Sequence, residues 1–166
     1  MNLGLNDKRC LITGASRGIG AAIAERFLEE GAKVFLVSRG QAGLTRKTQE
    51  LQEQFGSARV KSLISDCTKA KSLEKLEDEI RSSWSGIDIV IANVGDGRSV
   101  AESIPSSNQW KKTWDSNFES ALQTARIFLP MLEESHGVIL FISSIAGMEA
   151  FGAPTDYSTA KAAIIA

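Results

Sequence analysis

Short apolar segments alternate along this chain with longer stretches of helical period. Residues 9–13, 33–37, 60–64, 87–92 and 138–142 read as five strands. Several of them are apolar at successive positions, the pattern of strands covered on both faces. Between them, Ile19, Ala22, Ile23 and Phe27 fall at offsets 0, 3, 4 and 8, one stripe of a helix that Gly31 closes. Leu73, Leu76, Ile80 and Trp84 repeat that stripe and end near Gly86. Trp114, Phe118, Ala121, Ala125 and Leu129 mark a longer helix, expected to stop around Pro130. Strands alternating with helices imply parallel pairing through crossovers, hence a three-layer α/β sandwich.

Composition narrows the class without naming a function. Nineteen Lys and Arg stand against twenty Asp and Glu, for a formal charge of −1 over 166 residues. Nucleic acid is therefore not the expected partner, because neutralising phosphates takes a surplus of cations. No apolar run approaches the ~20 residues of a membrane span. Residues 1–8 lack the apolar core of a secretory leader, so a cytoplasmic location is expected. Cys10 and Cys67 form neither a zinc spacing nor a disulfide framework and read as reduced, packed thiols; no metal is expected. The mixed charge run at 69–79 reads as a solvated helix face, and His136 as a loop residue before Gly137.

Candidate chemistry begins where the first strand runs into Thr13-Gly14-Ala15-Ser16-Arg17-Gly18-Ile19-Gly20 and a helix follows. Glycines there permit a tight turn and close approach of the backbone to a pyrophosphate, and the helix N-terminus offers free N–H groups to the phosphates. The spacing is G-x-x-x-G-x-G, not G-x-G-x-x-G. About 20 residues further on, where an acid would receive a ribose 2′-hydroxyl, the chain has Ser38-Arg39. An acid would repel a 2′-phosphate, whereas a guanidinium grips it through paired hydrogen bonds. With Arg17 as a second cation, NADP(H) is the expected cofactor rather than NAD(H). Near the other end, Tyr157 and Lys161 sit four apart on a helical segment and share a face. An ammonium so placed stabilises a phenolate, the condition for a phenol to exchange a proton near neutral pH.

Taken together, the glycine turn and Tyr157-x-x-x-Lys161 resemble the short-chain dehydrogenase/reductase family, in its small single-domain form. Asp66 after the third strand matches the acid that contacts the adenine ring. Ala92-Asn93-Val94-Gly95 resembles the Asn-Asn-Ala-Gly segment, with Val94 in place of the usual alanine, and Asn117 matches the helix asparagine of the catalytic tetrad. Ile142-Ser143-Ser144 resembles the segment bearing the catalytic serine, and the family's thirteen-residue spacing to the tyrosine selects Ser144.

The resemblance implies a Rossmann-like, doubly wound parallel sheet and hydride transfer between NADP(H) and a carbonyl or alcohol substrate. Asn117, Ser144, Tyr157 and Lys161 would be catalytic. Gly14, Ser16, Arg17, Gly18, Ile19, Gly20, Ser38, Arg39, Asp66, Asn93, Gly95, Tyr157 and Lys161 would bind cofactor. A homo-oligomer, dimer or tetramer, is also implied. Residues 1–166 read as one dinucleotide-binding domain with five strands of a 3-2-1-4-5-6 sheet, the C-terminal strand or strands lying outside the sequence. The competing readings are an NAD(H)-dependent member and a catalytically silent nucleotide-binding or interaction protein on the same fold.

Overall fold

Apolar residues on consecutive strand positions need two covers, and the structure provides them. In the computed structural model, which describes residues 3–100, 102–149 and 152–166, five parallel strands form one sheet in the order β3-β2-β1-β4-β5. The strands are β1 (Arg9–Thr13), β2 (Lys33–Ser38), β3 (Val60–Ile64), β4 (Ile89–Ala92) and β5 (Val138–Phe141). Alternate residues enter different cores. Cys10, Ile12, Val34 and Leu36 pack with Ala24 and Leu28 of helix α1 (Gly18–Glu29) and with Leu44 and Leu51 of α2 (Gln41–Phe55). Leu11, Phe35, Val37 and Val90 pack on the opposite face with Leu73, Leu76 and Ile80 of α3 (Ala70–Trp84) and with Phe128 and Met131 of α5 (Ser120–Ser135). The expected three-layer, doubly wound α/β architecture is the one observed.

Three local readings need correction. The helix expected to stop at Pro130 runs on to Ser135, with Pro130 inside it. Proline removes one N–H, but Arg126 and Pro130 both lie on the exposed face, where water can replace the lost bond. His136 then ends the helix in the left-handed region at φ 51°. Second, of the stripe Trp114–Phe118–Ala121–Ala125–Leu129 only Ala121 is buried; the rest of the inward face lies one residue earlier, at Thr113, Asn117, Ser120, Thr124 and Phe128, while Leu129 is 48 % exposed. This helix is apolar on two sides, so periodicity alone does not select its inner face. Third, β2 extends to Ser38, β4 starts at Ile89 rather than at Ile87, and β5 stops at Phe141.

Two helices carried too weak a pattern to be read. α2 buries only Leu44, Thr48 and Leu51. The other is α4 (Ser107–Trp114), capped by Ser106, whose hydroxyl accepts from the Gln109 N–H. It continues into α5 through a wide π turn at Asp115–Glu119. The last helix, α6 (Thr155–Ile165), packs against α4, the π turn and the short 3₁₀ segment Ile145–Gly147. Among the described residues no helix is long and apolar enough to cross a membrane.

Candidate active site

Parallel pairing brings the C-terminal ends of β1, β2 and β4 to one edge of the sheet. β1 is the switch point between the strands wound to either side, where a crevice opens. A cleft of about 680 Å³ lies there. Gly14, Ser16, Arg17, Gly18, Ile19, Ser38, Arg39, Asp66, Asn93, Gly95, Tyr157 and Lys161 all line it, twelve residues scattered over the chain yet proposed from sequence as one site.

The turn after β1 has the geometry its glycines predict. Gly14 and Gly18 adopt φ +66° and +60°, a region that L side chains avoid. Gly20 does not line the cleft but sits behind it, where a Cβ would fall 2.6 Å from Asn93 Nδ2 and 2.7 Å from the Gly14 carbonyl oxygen. Asn93 Nδ2 in turn donates to the carbonyls of Thr13 (3.0 Å) and Gly14 (3.3 Å). Thr13 Oγ1 donates to the Ile91 carbonyl and accepts from the N–H of Asn93 at 3.0 Å, bolting the turn to the end of β4. Helix α1 has no side-chain cap at Arg17, so its first-turn N–H groups receive no capping hydrogen bond from that residue.

At the β2 end, Ser38 Oγ donates to Ser16 Oγ at 3.1 Å and accepts from the Gly40 N–H at 3.3 Å. Arg17 and Arg39 are exposed, and neither forms an ion pair among the described residues. Sequence reasoning missed Arg46, which lines the same end. It sits on α2, and the signal was recoverable only by first reading 41–55 as a helix. Asp66 is folded into its own turn, Oδ1 accepting from the Thr68 N–H (3.0 Å) and Thr68 Oγ1 (2.8 Å). Burial pushes the neighbouring Cys67 thiol up to about 12, too high for a thiolate at neutral pH.

At the opposite end, Lys161 and Asn117 are buried. Lys161 is 3 % exposed, and its Nζ donates to the Ile142 carbonyl at 2.8 Å and lies 5.9 Å from the Tyr157 ring centre. Burial holds its ammonium below the ordinary lysine value. Asn117 is completely buried. Its Oδ1 accepts from the Asp96 N–H at 3.0 Å, and its Nδ2 donates to the carbonyls of Asp96 and Thr113, each at 3.0 Å. Gly95 is wedged between these groups: a Cβ there would meet Asn117 Oδ1 at 2.9 Å and Lys161 Nζ at 3.1 Å. Ser144 is not among the cleft-lining residues, whereas Ser143 is, its hydroxyl donating to the Lys161 carbonyl at 2.8 Å. Ser144 Oγ accepts from the Ala146 N–H at 3.1 Å, which leaves its own proton free to donate.

Comparison with known proteins supplies the family. The family model described as short chain dehydrogenase matches residues 8–166. An uncharacterized oxidoreductase of Staphylococcus aureus is 37 % identical over 161 residues, covering 96 % of this chain and 68 % of that protein. Among solved structures, L-sorbose reductase from Gluconobacter frateurii, complexed with NADPH and L-sorbose, superposes with a TM-score of 0.92 at 31 % identity, over 99 % of this chain and 63 % of that one. An alcohol dehydrogenase from the archaeon Thermococcus sibiricus, complexed with 5-hydroxy-NADP, gives 0.87 at 28 % identity, over 94 % and 66 %. The chain thus spans about two thirds of the length of these relatives. With the family model matched along nearly its whole length, this chain belongs to the short-chain dehydrogenase/reductase family of oxidoreductases.

Proposed function

We propose that the cleft takes NADP(H) and that the protein transfers a hydride between this cofactor and a carbonyl/alcohol pair. The observation that carries the reading is the continuity of one cleft. It runs from a glycine turn flanked by unpaired arginines to a phenol beside a buried ammonium. The donor set suits the group: uncapped N–H groups at the start of α1 for a diphosphate, and Ser16, Ser38, Arg39 and Arg17 for a 2′-phosphate. Nicotinamide, when bound, supplies or accepts the hydride. Both relatives described above with a bound phosphorylated cofactor share this fold.

The remaining chemistry belongs to the protein. Tyr157 donates a proton to the substrate oxygen as a ketone is reduced, and takes it back in the reverse direction. Ser144 lies beside Ser143 just outside the cleft lining, and its uncommitted O–H is the donor assigned to that oxygen, where negative charge develops. Lys161 uses one proton to anchor itself on the Ile142 carbonyl and keeps two for the cleft, where its charge stabilises the phenolate. Asn117 braces the segment from Gly95 to Asp96, and from there water can pass protons on to Lys161.

Incubating the purified protein with NADPH or NADH and a panel of ketones, while following nicotinamide absorbance in the near ultraviolet, tests the reading. Consumption of NADPH that Tyr157→Phe abolishes is the expected result. Binding of dinucleotide with no turnover of any ketone would leave the silent-binder alternative standing.

A further inference from the structure

A polar cluster behind Tyr157 has no part in the proton transfer just described. Asp156 precedes Tyr157 in the first turn of α6 and is 1 % exposed. A buried carboxylate ordinarily faces a cation, yet Asp156 forms no ion pair among the described residues. Its Oδ2 instead accepts from two hydroxyls, Thr113 Oγ1 at 2.6 Å and Ser99 Oγ at 2.7 Å, and its Oδ1 from the Tyr157 N–H at 2.9 Å. Behind the hydroxyls, Gln109 Nε2 donates to both, at 3.0 Å to Thr113 and 3.3 Å to Ser99.

The direction of these bonds dictates the central group. Because Gln109 donates to both hydroxyls, each must send its own proton onward to an acceptor. The Tyr157 N–H also needs an acceptor. Only a side chain that accepts at both of its oxygens meets all three donors, and that is an ionised carboxylate; an amide would set an NH₂ against donors on one side.

Three separate parts of the chain meet at this carboxylate: the loop after β4 through Ser99, helix α4 through Thr113, and α6 itself. The loop is therefore pinned twice, by Asn117 at Asp96 and by Asp156 at Ser99. Between the pins, Gly97 faces the Tyr157 ring: a Cβ there would lie 3.6 Å from Cζ, at ordinary van der Waals distance. We propose that Asp156 is a positioning residue: by holding Ser99 and Thr113 it lays the loop across the Tyr157 ring and fixes where the phenolic oxygen stands in the cleft. The functional consequence rests on the reading of Tyr157 as proton donor; the geometric one does not.

The chain contains a single tyrosine, so ring-labelled tyrosine gives a nuclear magnetic resonance signal from Tyr157 alone, whether or not the protein turns over. Ser99→Ala and Thr113→Val each delete one strut from a distant part of the sequence, and Thr113→Ser restores the hydroxyl. Ser99→Ala, in a half-buried loop, keeps the test open if a helix variant does not fold. Both deletions are expected to shift and broaden the Tyr157 ring signal and to lower kcat roughly tenfold to a hundredfold, with NADPH affinity held within about twofold. Thr113→Ser is expected to match the wild type. A Tyr157 signal unmoved by both deletions overturns the proposal, as does a fall in NADPH affinity that keeps pace with kcat. If the signal moves while the wild-type protein reduces no ketone, the pin stands and the reading of Tyr157 as proton donor falls.

Discussion

The two ends of the cleft are built on opposite principles. Around Tyr157, the groups that support it are sunk into the protein: Asn117, Asp156 and Lys161 are each at most 3 % exposed, and each is held by main-chain or hydroxyl partners. Around Ser38, the three arginines are exposed and carry no ion pair among the described residues. Proton transfer needs atoms fixed before the substrate arrives, so hydrogen-bonding capacity is committed internally. Phosphate recognition needs donors still uncommitted, and an exposed guanidinium keeps them at no desolvation cost until the anion displaces its water. Committed and uncommitted donors thus lie at separate ends of this cleft.

Substitutions at either end can break that separation, and the largest effect is expected from Tyr157→Phe. Removing the phenolic O–H should lower kcat by about 10²- to 10⁴-fold, a far larger change than in NADPH affinity, as measured by turnover and fluorescence titration. Next comes Arg39→Asp, which reverses the charge facing the proposed 2′-phosphate. NADPH affinity should fall about a hundredfold, the equivalent of roughly 2.7 kcal/mol, with NADH affinity held or improved. Equal losses for both cofactors would remove Arg39 from specificity.

Gly20→Ala tests the floor joining the two ends. Its Cβ would press on Asn93 and on the Gly14 carbonyl, so a loss of about 1–3 kcal/mol in stability is expected, together with weaker binding of both cofactors. The smallest effect lies far from the cleft. Arg9 Nε and Nη2 hold the Asp88 carboxylate at 2.8 and 2.9 Å, at the end of β1 away from the glycine turn. The Arg9 guanidinium keeps Asp88 below the usual carboxylate range. The pair therefore contributes fully above about pH 4, and its contribution disappears as pH falls through the depressed folded value. Both partners are partly exposed, so Arg9→Met should reduce that acid-side slope by no more than about 1 kcal/mol in denaturation midpoints and leave cofactor binding untouched.

The sequence was most readable where its chemistry is confined to a short window. Two-sided strands, a glycine turn at a strand–helix junction and a tyrosine–lysine pair one turn apart each show within ten residues, and these established the sheet and both ends of the cleft. Features that depend on distant partners left no such trace. Asp156 is meaningful only beside Thr113 and Ser99, 43 and 57 positions away. Arg46 becomes relevant only once α2 is known, and that helix hides behind polar residues because its inner face buries only three side chains. Pro130 misled because its rule assumes that a missing N–H leaves a carbonyl dry, whereas this proline sits on the wet face.

The central claim is that both ends serve one bound molecule, and the lone tyrosine allows this to be tested in solution. Titrating ring-labelled protein with NADP⁺ should shift the Tyr157 resonance at saturation. Adenosine 2′,5′-bisphosphate, which carries the 2′-phosphate but no nicotinamide, should compete for the same site and leave the resonance where it was. Saturable NADP⁺ binding with the Tyr157 resonance unmoved would contradict the account.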